Sequence, residues 1–386
     1  MRIGMFSWES LYSIRVGGVA PHVSEISEAL ARRGHEVHIF TRRGDFESYD
    51  KINGVHYQRA DTDGSGDILA QMDKMCDALY DRFVAVQSIF GHFDVLHGHD
   101  WHPVLALTRL KRDHDLPFIL TMHSTEWGRN GNNFGYGGIS KEISHREWLG
   151  CYEASKVIVT TRRMQDELMW IYSLPEYKIR IIPNGIVMGK VRRPMDAGRI
   201  KERYGFHPLA PIVLFCGRMS IQKGPDLLVE AVPFVLKTRP DVRFIFMGEG
   251  GMRWHCEHRA KELGVADACR FLGYTTSAEK EELINACDLM CIPSRNEPFG
   301  VVVLEAWDAC KPVVATEAIS IIRNFEDGLL AYIEPQSLAW CINRLLADPE
   351  EMRRLAEAGH ARIEAEFSWD RIARRTEDVY HEVLKV

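Results

Sequence analysis

The chain has 386 residues, of which 46% are hydrophobic and 26% are charged, and its formal net charge is -6. This length predicts two domains, and the composition is ordinary for a globular protein rather than a fibrous or disordered one. The negative charge argues against a nucleic-acid partner and against an anionic membrane surface.

Nine cysteines are scattered along the chain without a CxxC pair. This usage predicts reduced core thiols in a cytoplasmic protein, because disulfide frameworks belong to small secreted chains. Neither a signal segment nor a membrane-spanning run is predicted. Membrane contact is therefore peripheral at most, and the basic stretch Arg109–Arg112 is the one weak candidate for it.

The first half of the chain alternates short apolar runs with amphipathic stretches. RIGMFSW predicts a strand, and VSEISEALARRG predicts a helix that ends at Gly34. Further strands are predicted at HEVHIFT, FDVLHGHD, PFILTMHS, SKVIVTT and KIRIIPNG. Buried runs separated by helices are typical of a parallel sheet covered on both faces, so residues 1–190 are predicted to form one α/β domain.

The same pattern restarts near Pro208 and predicts a second doubly wound domain over residues 205–367. Its predicted strands are APIVLFCGR, VRFIFMGEG, LMCIPS and PVVAT, and its clearest helices are GPDLLVEAVPFVLKTRP, KEELINACD and VVVLEAWDACK. The last stretch, residues 368–386, predicts a helix that packs back on the first domain. Two such domains predict a ligand-binding cleft lined by the carboxyl ends of strands.

A glycine pair, Gly17 and Gly18, lies between the first predicted strand and the first predicted helix. Glycines there let the backbone approach a ligand, and a helix N-terminus favours an anion. A plain tight turn explains the pair as well. The spacing is not GxGxxG, so a dinucleotide site is not indicated.

Histidines gather near two predicted strand ends, in VLHGHDWHP and ILTMHSTEW: His97, His99, His102 and His123, with Asp100 among them. Such a cluster could hold a metal ion, but its spacing matches no zinc motif. Hydrogen bonding to a substrate or to the backbone is the favoured interpretation, and no metal is predicted.

Two cations, Arg218 and Lys223, follow the first strand of the second domain and precede a helix. This arrangement suits a diphosphate, although solvated surface charges are the plain alternative. Asn184 with Gly185 is a turn signal in PNG and carries no more than that by itself.

The stretch SRNEPFGVVVLEAW holds Glu297 in a turn and Glu305 in a predicted helix. Two carboxylates at this spacing could be a solvated surface, a metal site, an acid/base pair or a clamp on a polyhydroxy ligand. The residues by themselves leave these alternatives open.

Taken in order, the glycine pair, HGHDWHP, TMHS, PNG, GRMSIQKG, GEG, FLGY and EPFGVVVLE resemble the retaining nucleotide-sugar glycosyltransferases of group 1. This group includes sucrose synthases, mannosyltransferases and bacterial and archaeal glycogen synthases. The resemblance covers essentially the whole chain, and HDWH with VGGVAPHVSE leans toward the glycogen synthases. It implies the GT-B fold, α/β with two Rossmann-like doubly wound domains facing each other across a cleft.

The resemblance also implies roles for individual residues. Arg218 and Lys223 would hold the donor diphosphate, Glu297 the sugar hydroxyls and Glu305 the ribose, so that the two glutamates form a clamp on one donor. His123 would orient the reacting sugar. The remaining implied donor contacts are Gly17, Gly18, Asn184, Gly217, Gly248, Leu272, Tyr274, Phe299, Gly300, Val301 and Val302, and the acceptor-side candidates are His99, Asp100 and Glu126.

The implied activity is transfer of a hexose, glucose above all, from an ADP- or UDP-sugar to a glucan or small sugar, without a metal or other cofactor. A lipid-linked acceptor and a non-catalytic sugar-binding homologue are the rival interpretations. One departure concerns the segment Glu317–Asn324, which lacks the family's second glycine pair and leaves its donor contacts unassigned.

Overall fold

The structure, a computed structural model, describes residues 1–135 and 137–385. The chain divides into two compact units. The first contains Met1–Trp127, Phe134–Gly185 and the chain from Trp369 on. The second contains Ile186–Ser368 and the short segment Gly128–Asn133, which the sequence analysis had included in the first domain.

The first unit is built on an eight-stranded sheet with the order β3-β4-β2-β1-β5-β6-β7-β8. All neighbours are parallel except β3 and β4, which form an antiparallel hairpin. The strands are β1 Arg2–Phe6, β2 Glu36–Arg42, β3 Tyr49–Ile52, β4 Val55–Ala60, β5 Val95–His99, β6 Phe118–Met122, β7 Lys156–Val159 and β8 Ile179–Ile181.

Successive residues of these strands enter different core clusters, as period-two alternation requires. Val157 and Val159 pack in one cluster, while Ile158 between them packs in the other. The covering helices are α1 Val19–Arg32, α2 Ile68–Phe90, α3 Val104–His114, α5 Gly138–Glu153 and α6 Arg162–Tyr172, and the short α4 Glu126–Arg129 begins in this unit and ends in the second. Both faces of the sheet are therefore buried, which is why its strands are continuous apolar runs.

The second unit holds a six-stranded parallel sheet with the order β11-β10-β9-β12-β13-β14. Its strands are β9 Ile212–Cys216, β10 Arg243–Met247, β11 Cys269–Gly273, β12 Leu289–Ile292, β13 Val313–Thr316 and β14 Leu329–Ala331. Its helices are α7 Ala197–Arg203, α8 Pro225–Thr238, α9 Arg253–Glu262, α10 Ser277–Ala286, α11 Val301–Asp308, α12 Pro335–Ala347 and α13 Pro349–Glu366.

The last helix, α14 Trp369–Leu384, belongs to the first unit. Its apolar face enters the core cluster that contains Ile3 and Val23, through Trp369, Ile372, Ala373, Val379, Tyr380 and Val383. The Tyr380 hydroxyl lies 2.7 Å from Nδ1 of His97, so this helix also reaches a polar group of β5.

Among the described residues, no helix combines the length and the apolar run that crossing a bilayer requires. The basic stretch Arg109–Arg112 lies on α3. Its charges pair with neighbouring acidic residues, including Arg109 with Asp113 and Lys111 with Glu153. This stretch is thus partly neutralised within the unit.

In each unit the strand order reverses beside the first strand. In the first unit the chain moves from β1 outward through β2, and then returns to β5 on the other side of β1. In the second unit it moves from β9 through β10, and then returns to β12. The crevice outside the carboxyl ends of such a strand pair is where open α/β sheets bind ligands. The fold therefore indicates that ligands bind at the loops after β1 and β5 in the first unit, and at those after β9 and β12 in the second.

The α11 helix is anchored by Trp307, which is fully buried and donates from Nε1 to the carbonyl oxygen of Asp327 at 3.0 Å. Trp307→Ala is expected to destabilise the second unit by about 3–5 kcal/mol, because the change loses apolar burial and leaves a cavity. Urea unfolding followed by far-UV circular dichroism measures the loss.

Trp254→Ala is the matched control, because Trp254 is 73% exposed and the same substitution there is expected to cost about 0.5 kcal/mol or less. Equal shifts of the unfolding midpoint in the two variants would contradict the assignment of Trp307 as the anchor.

Candidate functional site

Two predicted residues meet at the reversal point of the second unit. Lys223, in the loop after β9, donates from Nζ to Oε2 of Glu297 at 2.6 Å. The Ser294 hydroxyl donates to the same oxygen at 3.1 Å, and the Thr316 hydroxyl donates in turn to the Ser294 carbonyl. Glu297 is buried, so its charge is balanced by Lys223 rather than by water.

The loops after β9 and β12 are held together by further contacts. Gly224 has a φ of +62°, and a Cβ at this position would overlap the carbonyl oxygen of Pro293. Arg295 binds both carboxylate oxygens of Asp226 at 2.8 and 2.6 Å, a bidentate pair. The position of Lys223 relative to Glu297 is thus fixed by the backbone as well as by the ion pair.

After Glu297 the chain turns into α11 through the buried Phe299 and through Gly300, whose φ is +93°. Val301 and Val302 form the first turn of this helix, where backbone N–H groups have no partner within the helix. Among the described residues, none accepts a hydrogen bond from the amides of Phe299, Gly300, Val301 or Val302. These amides and the helix dipole favour oxygen acceptors beside Glu297.

Glu305 lies one turn further along α11 and is held by a residue that the sequence analysis did not identify. Lys280 of α10 donates to Oε1 of Glu305 at 2.6 Å. Burial lowers the pKa of Lys280, but the neighbouring Glu305 carboxylate outweighs it, so that the pKa is raised and the ammonium stays charged. The other oxygen, Oε2, is buried and has no hydrogen-bond partner within the described part of the chain.

Arg218 is exposed, and its guanidinium forms no ion pair or hydrogen bond with any described residue. It follows Gly217, whose amide donates to the carbonyl of Met247 at 3.0 Å. Gly248 has a φ of +132°, and a Cβ there would overlap the Gly217 carbonyl oxygen. The ends of β9 and β10 therefore approach too closely for any side chain at this position.

At the end of β11, Leu272 is partly buried in the core, whereas Tyr274 is 83% exposed. The two predicted donor contacts of this strand therefore differ in access to solvent, and only the tyrosine ring is open to a ligand as it stands.

The segment Glu317–Asn324 forms a packed turn. Ala318, Ile319, Ile321 and Ile322 are buried, and Ile319 lies against Gly300. The Glu317 amide donates to the Ala331 carbonyl at 2.8 Å, and the Ile319 amide donates to the Thr316 carbonyl at 3.0 Å. Apolar packing thus replaces the glycine pair, and three of the segment's amides, including that of Arg323 to Oδ1 of Asp327, already donate hydrogen bonds within the unit.

In the first unit, the glycine pair lies in the loop before α1. Oε2 of Glu9 accepts hydrogen bonds from the amides of Val16 and Gly17 at 2.5 and 2.6 Å. Burial raises the pKa of Glu9, and these two amides oppose that rise. Gly18 precedes the helix with an ordinary φ of -74°, and a Cβ there would meet no other atom. Neither glycine is required by backbone strain.

The predicted residues at the ends of β5 and β6 do come together. Oδ1 of Asp100 accepts from the His123 amide at 2.7 Å, and Nδ1 of His99 lies 3.2 Å from Nε2 of His123. His22 of α1, which the sequence analysis did not single out, packs its ring 4.5 Å from that of His123. Burial lowers the pKa of His123 to about 3, so its imidazole is neutral at ordinary pH.

His97 lies behind this group in β5, fully enclosed between Tyr380 and the Thr121 hydroxyl, each at 2.7 Å. Burial lowers its pKa to about 3. This histidine is a satisfied core residue that stacks on His99, with ring centroids 4.6 Å apart. His102 also stacks, on Trp8, and belongs to the loop after β5.

The other first-unit candidates differ in their surroundings. Asn184 is buried, and its carboxamide is within hydrogen-bonding reach of the His22 ring. Glu126 begins α4, where it accepts from the Ser140 hydroxyl at 2.6 Å. Glu126 is thus tied to α5, whereas Asn184 belongs to the histidine group.

Comparison with known proteins places this arrangement in a family. Residues 16–189 match the model of Glycosyltransferase Family 4, and residues 196–362 match that of Glycosyl transferases group 1. The chain is 32% identical to an uncharacterized glycosyltransferase of Methanocaldococcus jannaschii, with 98% of each chain covered. It is 30% identical to a glycogen synthase of Mycobacterium tuberculosis, covering 98% of this chain and 94% of that protein. The chain belongs to the group 1 glycosyltransferases.

The solved sucrose-phosphate synthase from Thermosynechococcus elongatus superimposes with a TM-score of 0.81 at 22% sequence identity. The match covers 100% of this glycosyltransferase and 99% of that chain. The predicted family and the predicted GT-B fold are both confirmed. The roles of individual residues stay predictions, with the geometry above as their physical basis.

His97→Gln is expected to weaken the acid sensitivity of this glycosyltransferase. In the unfolded chain a histidine titrates near about 6.5, whereas the folded pKa of His97 is lowered to about 3. Between these values only the unfolded state binds the proton, so the free energy of unfolding falls as pH falls from the higher value toward the lower. Thermal unfolding across that window measures the slope.

The exposed His207 provides the control, since His207→Gln removes a histidine that remains in contact with water in the folded state. Its melting temperature should follow the wild-type pH dependence. An unchanged slope in His97→Gln, with a folded protein, would contradict the expected contribution.

Proposed function

We propose that this group 1 glycosyltransferase transfers a hexose, glucose above all, from an ADP- or UDP-sugar to a glucan or small sugar, with retention of the anomeric configuration. The observation that carries the proposal is the pair of glutamates on either side of the α11 N-terminus. In each, one carboxylate oxygen is held by a lysine, and the other oxygen accepts no hydrogen bond from a described residue.

Vicinal hydroxyl groups are the donors that such oxygens suit. We assign Glu297, beside the unbonded amides that follow it, to the hydroxyls of the transferred sugar. We assign Glu305 to the ribose, because its Oε2 is a buried acceptor whose hydrogen-bonding capacity is unused. This is the clamp interpretation of the two carboxylates.

The diphosphate is assigned to Arg218 and Lys223. Departure of the nucleotide leaves negative charge on the phosphate, and fixed cations stabilise that charge as it develops. Arg218 is exposed and has no acidic partner among the described residues, which supports this role. Because the chain supplies these cations itself, we propose that neither a metal ion nor another cofactor is required for transfer.

The donor and acceptor classes draw support from other proteins. Structures of the same fold include an Anabaena protein in complex with UDP-glucose and the starch synthase IV catalytic domain of Arabidopsis thaliana with ADP and acarbose. With the glycogen synthase relative, they favour a nucleoside-diphosphate glucose and a carbohydrate acceptor. A cytoplasmic location belongs to the same proposal and rests on the scattered cysteines.

On the first unit we assign His123 to orientation of the reacting sugar, with His99, Asp100 and Glu126 toward the acceptor. The neutral imidazole of His123 can donate or accept one hydrogen bond, but it carries no charge with which to act as an acid. We assign no side chain as a nucleophile, and the departing phosphate would take the proton of the acceptor hydroxyl.

The test is a panel of nucleotide sugars assayed with glycogen, maltooligosaccharides and a lipid-linked acceptor in the presence of EDTA. We expect ADP-glucose or UDP-glucose to raise the melting temperature, because a ligand that binds only the folded state stabilises it by mass action. Transfer to a glucan or small sugar should persist in EDTA.

The rival interpretations give different results in the same panel. Transfer only to the lipid-linked acceptor would replace the acceptor assignment. Stabilisation by a sugar without hydrolysis or transfer would favour a non-catalytic homologue. Activity lost in EDTA and restored by manganese would contradict the assignment of the diphosphate to Arg218 and Lys223.

The two glutamates should differ in the kinetic constant that they affect. Glu297→Ala is expected to lower kcat by about a hundredfold or more, as loss of a contact to developing charge costs about 2–4 kcal/mol of barrier. Glu305→Ala should mainly raise the Kd for the nucleotide, because ribose contacts are alike in ground and transition states. Steady-state kinetics and calorimetric nucleotide binding measure the two effects.

Each alanine variant leaves a lysine without its carboxylate, so the controls must remove that effect. Lys280→Met combined with Glu305→Ala eliminates the unpaired charge, and Glu297→Gln keeps the side-chain shape while removing the charge. Glu364→Ala changes an exposed glutamate of α13 and should leave both constants unchanged. A folded Glu297→Ala variant with normal kcat would show that the clamp interpretation is wrong.

A further inference from the structure

Three imidazoles from separate elements converge in the first unit: His22 from α1, His99 from the end of β5 and His123 after β6. Each offers one ring nitrogen, and the three nitrogens lie within 4.8 Å of one another. Nδ1 of His99 and Nε2 of His123 are 3.2 Å apart. Ligand nitrogens bound to one tetrahedral Zn²⁺ at about 2.0–2.1 Å stand roughly 3.3 Å apart, so this pair is already at a coordinating separation.

We propose that His22, His99 and His123 form a binding site for a borderline transition-metal ion of the Zn²⁺ class. Three nitrogen donors without a carboxylate suit Zn²⁺, Co²⁺, Ni²⁺ or Cu²⁺, whereas Mg²⁺ and Ca²⁺ require oxygen ligands. Three protein ligands leave a fourth position for water or for another small oxygen donor.

One ring nitrogen of the cluster is unsatisfied. Nε2 of His99 is buried and has no hydrogen-bond partner in the described ranges, whereas the His22 ring is within hydrogen-bonding reach of the Asn184 carboxamide. Buried polar atoms in native proteins nearly always have partners, so this exception beside the three converging nitrogens requires an explanation.

Asn184 would support one of the three ligands without binding the metal itself. Its carboxamide lies against His22, where it can accept a hydrogen bond from Nδ1 and thereby leave Nε2 of His22 as the lone-pair donor. The proton now shared between His99 and His123 would move to the opposite nitrogen of its ring when the metal binds. No proton is released by this shift, so metal binding does not require an additional base.

A second cluster of potential ligands, Glu36, His38 and His56, lies at β2 and β4. Here the polar atoms are occupied: Arg2 donates to both oxygens of Glu36 at 2.9 and 3.0 Å, and His38 bonds to Glu36 at 3.0 Å and to Gln58 at 3.3 Å. A metal ion would have to displace the Arg2 guanidinium from Glu36, whereas at the three histidines it would replace only one hydrogen bond between two of its own ligands. We therefore propose no metal site at this cluster, and its histidines provide the matched control.

Binding at the three histidines has a consequence for activity, and this part rests on the proposed function. His123 is assigned to the reacting sugar, so a metal ion on its imidazole would exclude that sugar from its position. The site would then act as an inhibitory one, and Zn²⁺ would compete with the donor.

The test uses Co²⁺ alone, added to the full-length EDTA-treated and dialysed protein without nucleotide. Tetrahedral coordination by nitrogen gives intense visible absorption, and we expect saturation at one ion per chain. His22→Gln and His99→Gln should abolish this spectrum, whereas His38→Gln and His56→Gln should retain it. Asn184→Ala should weaken binding by about 10–100-fold, the usual effect of losing an outer-shell partner.

Circular dichroism and melting temperature establish that each variant is folded, and Asn184→Ala provides a milder variant if a histidine substitution prevents folding. No tetrahedral spectrum with the wild-type protein, or the same spectrum in a folded His22→Gln variant, would overturn the site. Loss of the spectrum only in the His38 and His56 variants would place the metal at the other cluster and likewise overturn it.

The inhibition is measured separately, as the Zn²⁺ concentration that halves sugar transfer. His22→Gln should raise this concentration at least about tenfold compared with the wild-type protein. The transfer rate of each protein is first normalised to its own metal-free rate. If Co²⁺ binds as expected but no nucleotide sugar is turned over, the metal site is supported and the proposed function is wrong. If transfer occurs and Zn²⁺ binding leaves it unaffected, the inhibitory role is wrong.

Discussion

The contact between Lys223 and Glu297 is the constraint on which the candidate site of the second unit depends. The strand order reverses between β9 and β12, and this leaves two irregular loops side by side. The ion pair joins them at 2.6 Å, in surroundings where Glu297 is buried. Removing one partner of a buried pair leaves an uncompensated charge and typically costs about 3–5 kcal/mol. The same lysine can therefore hold the loop in place and still present positive charge to an arriving diphosphate.

Much of the fold could be predicted because a parallel sheet buried on both faces leaves continuous apolar runs in the sequence. The β3–β4 hairpin was missed, although Asn53-Gly54 at its turn is a strong hairpin signal with φ of 49° and 84°. Its first strand, YDKI, is short, polar and half exposed, so it lacks the apolar run on which the prediction depended. The grouping of Gly128–Asn133 with the second unit was also missed, since Asn132 bonds to Asn296 and no local pattern encodes that contact.

The candidate site could be predicted where its residues lie in glycine-rich loops at strand ends, as Lys223 and Glu297 do. Lys280 could not, because a lysine in SAEKEEL has the pattern of a solvated helix surface. Only the tertiary fold brings its Nζ to Glu305 and gives the ion pair its burial. Glu9 and His22 were missed for a similar reason: their hydrogen bonds and ring contacts join segments that are distant in sequence or carry no motif of their own.

The two units show the same contrast between satisfied and unsatisfied polar groups. His97, His38 and Glu36 have partners for the atoms that matter, and folding alone explains their burial. Glu305 and His99 are different, since each buries a polar atom that bonds to no described residue. Folding gains nothing from such atoms and loses their hydration. Both residues lie at the reversal points of the two sheets, where open α/β sheets bind ligands, and this supports the ligand sites proposed above.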